Sequence, residues 1–164
     1  VQLTFKEFFN EKKCWKGYVK RGLKKKNGKL VNNCVKEDAD AKLILPVVEN
    51  IFINGIGVVA AKIDSGNEAY NVLHGLNTNI DGDVVTFTTV NDKKMSAPLV
   101  DTTVIHIGSG VKEERPVVAL DIKLKDKVYR NIPFSLADRS ENDEPVLIGE
   151  PFIRDIGALI DVSL

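Results

Sequence analysis

From Leu43 onward, apolar residues come in short runs that break about every eight to twelve residues at Gly, Asn, Asp or Pro. The stretch LILPVVENIFING predicts strand, turn and strand, and IGVVAAKID predicts a further strand ending at Asp64. VVTFTTV (Val84–Val90) alternates apolar and polar positions, the period of a half-buried strand, before Asn91-Asp92 turns the chain toward Lys94–Val100. TVIHI follows, then RPVVALDIKLKDKVYRNIPFSLAD, which predicts a hairpin folded at Lys125-Asp126-Lys127. One helix is predicted late, in EPFIRDIGAL, where Pro151 suits a first turn and Gly157 an end. Many short strands and one C-terminal helix predict a mainly β body, built as a small barrel or sandwich.

The residues before Lys42 follow another pattern. Thr4 and Glu7 have capping-box spacing, with Leu3 and Phe8 at the staple positions, so a short helix is predicted over Phe5–Lys12. Next comes CWKGYVKRGLKKKNGKLVNNC, in which Asn27-Gly28 predicts a hairpin turn between Lys24–Lys26 and Lys29–Val31. The whole chain is neutral, yet residues 1–36 carry eleven Lys/Arg and two Glu, and residues 37–164 carry twelve Lys/Arg and twenty-one Asp/Glu. That asymmetry divides the chain into a basic arm, residues 1–36, and an acidic body, residues 42–164.

The arm's two cysteines could pair or stay free; with no secretory leader in sight, free thiols are expected. Without a second Cys pair or a nearby His they do not make a zinc finger. Lysines interleaved with Trp15 and Tyr18 make residues 12–36 a weak candidate for nucleic-acid binding through phosphates and stacking. The same short basic Cys-Trp segment resembles stretches found on proteins of marine tailed phages, which implies a phage source. No apolar run approaches the ~20 residues needed to span a bilayer, so no membrane partner is expected.

Asp64-Ser65-Gly66, taken alone, reads as a turn: Asp and Ser bond to nearby backbone amides, and Gly supplies permissive dihedrals. The picture changes with PVLIGEPFIRDIGALIDV, far downstream. Together with AAKIDSGN…LHG, ERPVV and FSLADRS, it resembles the retropepsin-like aspartic peptidases, over about Val47 to Val162. More specifically, these motifs look like the bacterial and phage branch often labelled "ATP-dependent zinc protease". It implies a closed β-barrel with one short C-terminal helix, and an endopeptidase whose Asp64 holds and activates water. Ser65 would bond to a partner chain's backbone, and Gly66 would let backbone amides approach the carboxylate. Substrate would be touched by Asn67, Phe87, Met95, Ile148 and Gly149, with Val84–Val100 as a flap closing over it. Asn67 stands where the family usually has alanine.

Only one such triplet is present. Asp101-Thr102-Thr103 lacks the glycine and Asp155-Ile156-Gly157 lacks the hydroxyl, so a peptidase built on this chain is expected to be a homodimer. Two carboxylates sharing one proton supply acid and base together. The expected substrates are peptides or proteins, phage structural proteins among them, in a virion or an infected host's cytoplasm. The competing expectation is an inactive capsid or assembly protein that binds partners through its cleft or basic arm. Asp138-Arg139 reads as a turn with a structural salt bridge, and His74 as a capping or packing residue. His74 and His106 are the only histidines, and neither H-E-x-x-H nor a phosphate-cradling Gly-rich motif is present, so no metal or cofactor is expected.

Overall fold

Asn27 and Gly28 both take positive φ, 51° and 77°. Two such residues in succession make the tight turn whose twist matches that of the flanking strands. The chain therefore folds β1 (Tyr18–Lys26) back on β2 (Lys29–Lys36), as the Asn-Gly signal predicts. This computed structural model describes residues 14–36, 42–107 and 110–164. It separates into two compact units, residues 1–42 and 43–164. The helix expected over residues 5–12 lies outside the described residues.

Cys14 and Cys34 form a disulfide, their Cα atoms 5.6 Å apart, where free thiols were expected. The register sets Lys20 opposite Cys34, and a turn in which the Tyr18 amide donates to the Trp15 carbonyl brings Cys14 back alongside. A two-stranded hairpin has little core of its own. Cross-linking a loop of this length removes unfolded-state freedom worth about 3 kcal/mol. Reduction with a strong thiol is therefore expected to abolish amide-exchange protection across residues 18–36; unchanged protection would show that the strands hold without the bond.

In the larger unit, β3 (Ile44–Leu45) and β4 (Val48–Ile53) precede β5 (Gly57–Asp64). β6 (Asn71–His74), β7 (Leu76–Asp81) and β8 (Val84–Thr88) follow. Two long strands come next, β9 (Lys94–Ile107) and β10 (Val111–Leu124), then β11 (Lys127–Ala137) and β12 (Val146–Gly149). The helix α1 (Glu150–Asp155) and β13 (Leu159–Ile160) complete the unit. Strands β11, β6, β12, β5, β4 and β10 pair in that order, and β10 pairs back to β11, closing a six-stranded barrel. Among the described residues the fold is mainly β with one short helix, as expected.

The barrel interior is apolar, with Ile51, Ile53, Leu73, Val118, Ile122, Leu124, Phe134 and Ile148 fully buried. β10 closes the barrel because it is long enough to serve three neighbours: β11, β4 and β9. Its second half alternates buried and half-buried residues, whereas Val111–Arg115 are exposed or half-buried and pair only with β9. The far end of the β9–β10 hairpin thus runs beyond the barrel wall. α1 carries Pro151 in its first turn and ends before Gly157, whose φ of 65° breaks the helix, as the sequence predicts. Its buried Phe152 meets Tyr129 edge-on, ring centroids 5.2 Å apart. Among the described residues no helix is long and apolar enough to cross a membrane.

Candidate active site

The two motifs far apart in sequence meet because β12 inserts between β5 and β6. It runs parallel to β5, with Gly149 in register with Asp64, and antiparallel to β6. Asp64 is half-buried at the end of β5, just past the core residue Ile63. Its Oδ1 accepts the Gly66 amide at 2.9 Å, and its carbonyl accepts the Asn67 amide at 3.3 Å. A Cβ on Gly66 would stand 3.2 Å from that carboxylate oxygen, so glycine leaves the approach open. Ser65 is exposed.

Asn67 is a brace for this loop. Its Oδ1 accepts the Ala69 amide at 3.2 Å, its Nδ2 donates to the Tyr70 carbonyl at 3.0 Å, and its carbonyl accepts the Glu150 amide at 2.8 Å. The side-chain amide that stands where the family usually has alanine is held within the loop. A second brace, Asn71, is buried: Oδ1 accepts the Gly149 amide at 2.9 Å and Nδ2 donates to the Pro133 carbonyl at 3.2 Å. Asn71→Ala strands both backbone groups, and each buried unpaired group costs about 1–3 kcal/mol. A clear fall in the urea midpoint is expected; an unchanged midpoint would mean that the brace contributes nothing.

A cleft of about 440 Å³ opens over Asp64 and Asn67. Its lining includes Thr103, Ile105 and Arg115 from the β9–β10 hairpin, with Ser135, Arg139 and Leu147 from the barrel side. This placement differs from the expected flap at Val84–Val100. Phe87 is 1% exposed in the core, and Met95 packs partly buried against it, with its thioether beside Gly55; neither lines the cleft. The alternation over Val84–Val90 is that of a packed strand, β8, paired to the start of β9, and the flap that the resemblance implied there is not where the cleft opens. Ile148 and Gly149 are buried, while their neighbour Leu147 lines the cleft.

Arg139 also departs from its expected role. Asp138 accepts both the amide and the hydroxyl of Ser140, which hold its carboxyl below the usual range. The Arg139 Nε donates instead to the Glu144 carbonyl at 3.0 Å, and its amide donates to His74 Nδ1 at 3.0 Å. His74 is thereby a buried packing residue that anchors this turn, as the sequence suggested. Burial lowers the Arg139 pKa from its ordinary value; Glu144 and Asp64 oppose that shift and Arg115 adds to it. Arg115 bonds Glu113 at 2.8 Å through Nη2, while its buried Nε has no partner. The cleft thus sets two guanidinium groups near one carboxylate.

Tyr70, missed in the sequence reading, clasps the loop to the hairpin: its hydroxyl donates to Asp101 on β9. That bond is the main cause that holds Asp101 below its ordinary 3.8 and Tyr70 above its ordinary 10.0. A depressed Asp stabilises the fold above its unfolded pKa and loses that contribution as the pH falls. A raised Tyr stabilises below its unfolded pKa and loses that contribution as the pH rises through the folded value. The clasp therefore holds across neutral pH and opens at both extremes. Tyr70→Phe is expected to speed amide exchange over residues 101–105 at neutral pH; unchanged exchange would remove the clasp from the account. Among the described residues no three of His, Cys, Asp and Glu gather as a metal site would require.

A family model described as "RimB-like: Retropepsin-like aspartic endopeptidase RimB" matches residues 83–164, half of the chain. The Asp64 loop lies upstream of that match. Among solved structures, the crystal structure of Lpg0085 from Legionella pneumophila subsp. pneumophila str. Philadelphia 1, a DUF785 protein with unknown function, is similar. It shares 28% identity at a TM-score of 0.61, over 76% of this chain and 96% of that one. No curated protein matches.

Proposed function

Because the chain belongs to the RimB-like family of retropepsin-like aspartic endopeptidases, we propose that it hydrolyses peptide bonds with a pair of Asp64 carboxylates, one from each subunit of a homodimer. The observation that carries this reading is the register of Asp64 against Gly149, which places the carboxylate on a braced loop at the floor of an open cleft. One carboxylate per chain cannot both take a proton from water and give one to the substrate carbonyl. Two of them a few ångström apart share a single proton, because both do not ionise together. Water then attacks the carbonyl directly, with no covalent intermediate.

The β9–β10 hairpin, which supplies Thr103, Ile105 and Arg115 to the cleft, is the element that would cover a bound peptide and exclude water. Arg115 and Arg139 favour substrates with a carboxylate side chain near the scissile bond, since a guanidinium pairs with a carboxylate through two parallel bonds. Asn67, which stands where the family usually has alanine, commits its amide to Ala69 and Tyr70.

A quenched-fluorescence peptide library, with products read by mass spectrometry, tests this reading. Cleavage is expected in peptides bearing Glu or Asp near the cut, and added amine nucleophiles should not be captured into product. Capture of the amine would indicate an acyl-enzyme and overturn the mechanism; no cleavage of any peptide would overturn the activity.

A further inference from the structure

The disulfide-closed hairpin is chemically unlike the rest of the molecule. Residues 14–36 contain eight Lys/Arg and no Asp or Glu, whereas residues 43–164 contain eleven Lys/Arg against eighteen Asp/Glu. Lys16, Lys24, Lys25, Lys26 and Lys29 are exposed, and among the described residues none of them has a carboxylate partner. The register places Lys26 directly opposite Lys29, beside a turn already carrying Lys24 and Lys25. Like charges in directly opposed positions destabilise a strand pair. A hairpin that concentrates cations around its Asn27-Gly28 turn, with a disulfide closing its other end, gains from an external anion that offsets the repulsion.

The aromatic residues say which anion. Trp15 is 76% exposed, and Tyr18 sits edge-on to it with ring centroids 5.8 Å apart. The edge contact orients the indole while leaving most of it open to solvent. An exposed, oriented indole at the end of the hairpin where Tyr18 pairs with Lys36, with the lysines of the Asn27-Gly28 turn at the other end, makes an extended track for unpaired bases: phosphates pair with the cations and a base stacks on the ring. In a duplex the base faces are already stacked, so Trp15 has nothing to add there.

We propose that residues 14–36 bind single-stranded nucleic acid, with Lys24, Lys25, Lys26 and Lys29 on phosphates and Trp15 stacked on a base. At about 3.3 Å per residue, strands of this length run for about 25 Å, enough for a handful of nucleotides. The site is independent of the cleft chemistry, and either can fail alone.

The test is fluorescence anisotropy of the full oxidised chain with a labelled mixed-sequence oligonucleotide, as single-stranded DNA, single-stranded RNA and duplex DNA. Single strands are expected to bind about tenfold more tightly than duplex. Their affinity should fall with salt at a log–log slope of about −3, as four to five phosphate contacts require. Lys24→Glu, Lys25→Glu and Lys26→Glu together should lower single-strand affinity more than about thirtyfold. Trp15→Ala should lower it about tenfold while leaving duplex binding unchanged. Thiol titration confirms that each variant keeps the disulfide. The proposal is overturned if the wild-type chain binds no oligonucleotide, or if Trp15→Ala binds single strands as the wild type does. Binding unchanged in the triple variant would also overturn it, as would phosphatidylserine vesicles outcompeting the single strands.

Discussion

Asp64→Asn is expected to lower peptide hydrolysis by about ten-thousand-fold while leaving the fold in place. Asn is the same size, and its Oδ1 still accepts the Gly66 amide that now bonds Asp64 at 2.9 Å. The loop is held independently by Asn67 and Asn71, so its geometry has no reason to change. What is lost is the capacity to take a proton from water, and in the proposed symmetric pair it would be lost twice. Steady-state kinetics on the best library peptide, beside a thermal melt, separate the two effects. A variant that melts as the wild type does and keeps more than about a tenth of its kcat/KM would remove Asp64 from the chemistry.

Gly149→Ala is expected to have the next largest effect, and by a different route. A Cβ there would stand 2.9 Å from Asn67 Nδ2, 3.0 Å from the Asn67 carbonyl oxygen and 3.1 Å from the Ala69 carbonyl oxygen. Two of the three are backbone, and the strand that carries Gly149 is pinned between β5 and β6, so the loop must give way. Overpacking of this kind costs about 1–3 kcal/mol, which lowers Tm by roughly 3–10 °C in a domain of this size. Because the yielding atoms belong to the Asp64 loop, kcat should also fall by roughly tenfold at temperatures where the variant is fully folded. A variant with lower Tm and unchanged kcat would show that Gly149 matters for packing alone.

Local signals carried much of the fold into the sequence. Asn27-Gly28 and Lys125-Asp126-Lys127 lie at hairpin turns, and Pro151 and Gly157 bracket the helix, because each is set by the dihedral needs of a few adjacent residues. The meeting of Asp64 with Gly149 is a different matter. It arises from parallel pairing between distant strands with a third strand beside them, and no local pattern encodes that; it was legible only through a family resemblance. The same limit explains the flap. Alternation marks Val84–Val90 as a strand without saying what covers it, so Phe87 looked available when it is core. The hairpin that does reach the cleft runs through DTTVIHI and VKEERP, and reads as ordinary polar strand. The disulfide was misjudged because compartment, not geometry, drove the expectation, while the bulged hairpin register is what brings Cys14 to Cys34. Arg139 was misjudged because Asp138 and Ser140 satisfy each other, which releases the arginine toward the cleft.

The claim that matters most is that the working site is shared between two subunits, and subunit mixing tests it directly. Wild-type chain is mixed with an equal amount of Asp64→Asn chain, and the dimers are allowed to exchange before assay. If each site needs Asp64 from both subunits, random re-pairing leaves wild-type pairs as about one quarter of all dimers, and total activity falls to about half that of the wild type alone. Activity that stays at the wild-type value after complete exchange would mean that each chain works with its own Asp64, and would contradict the account.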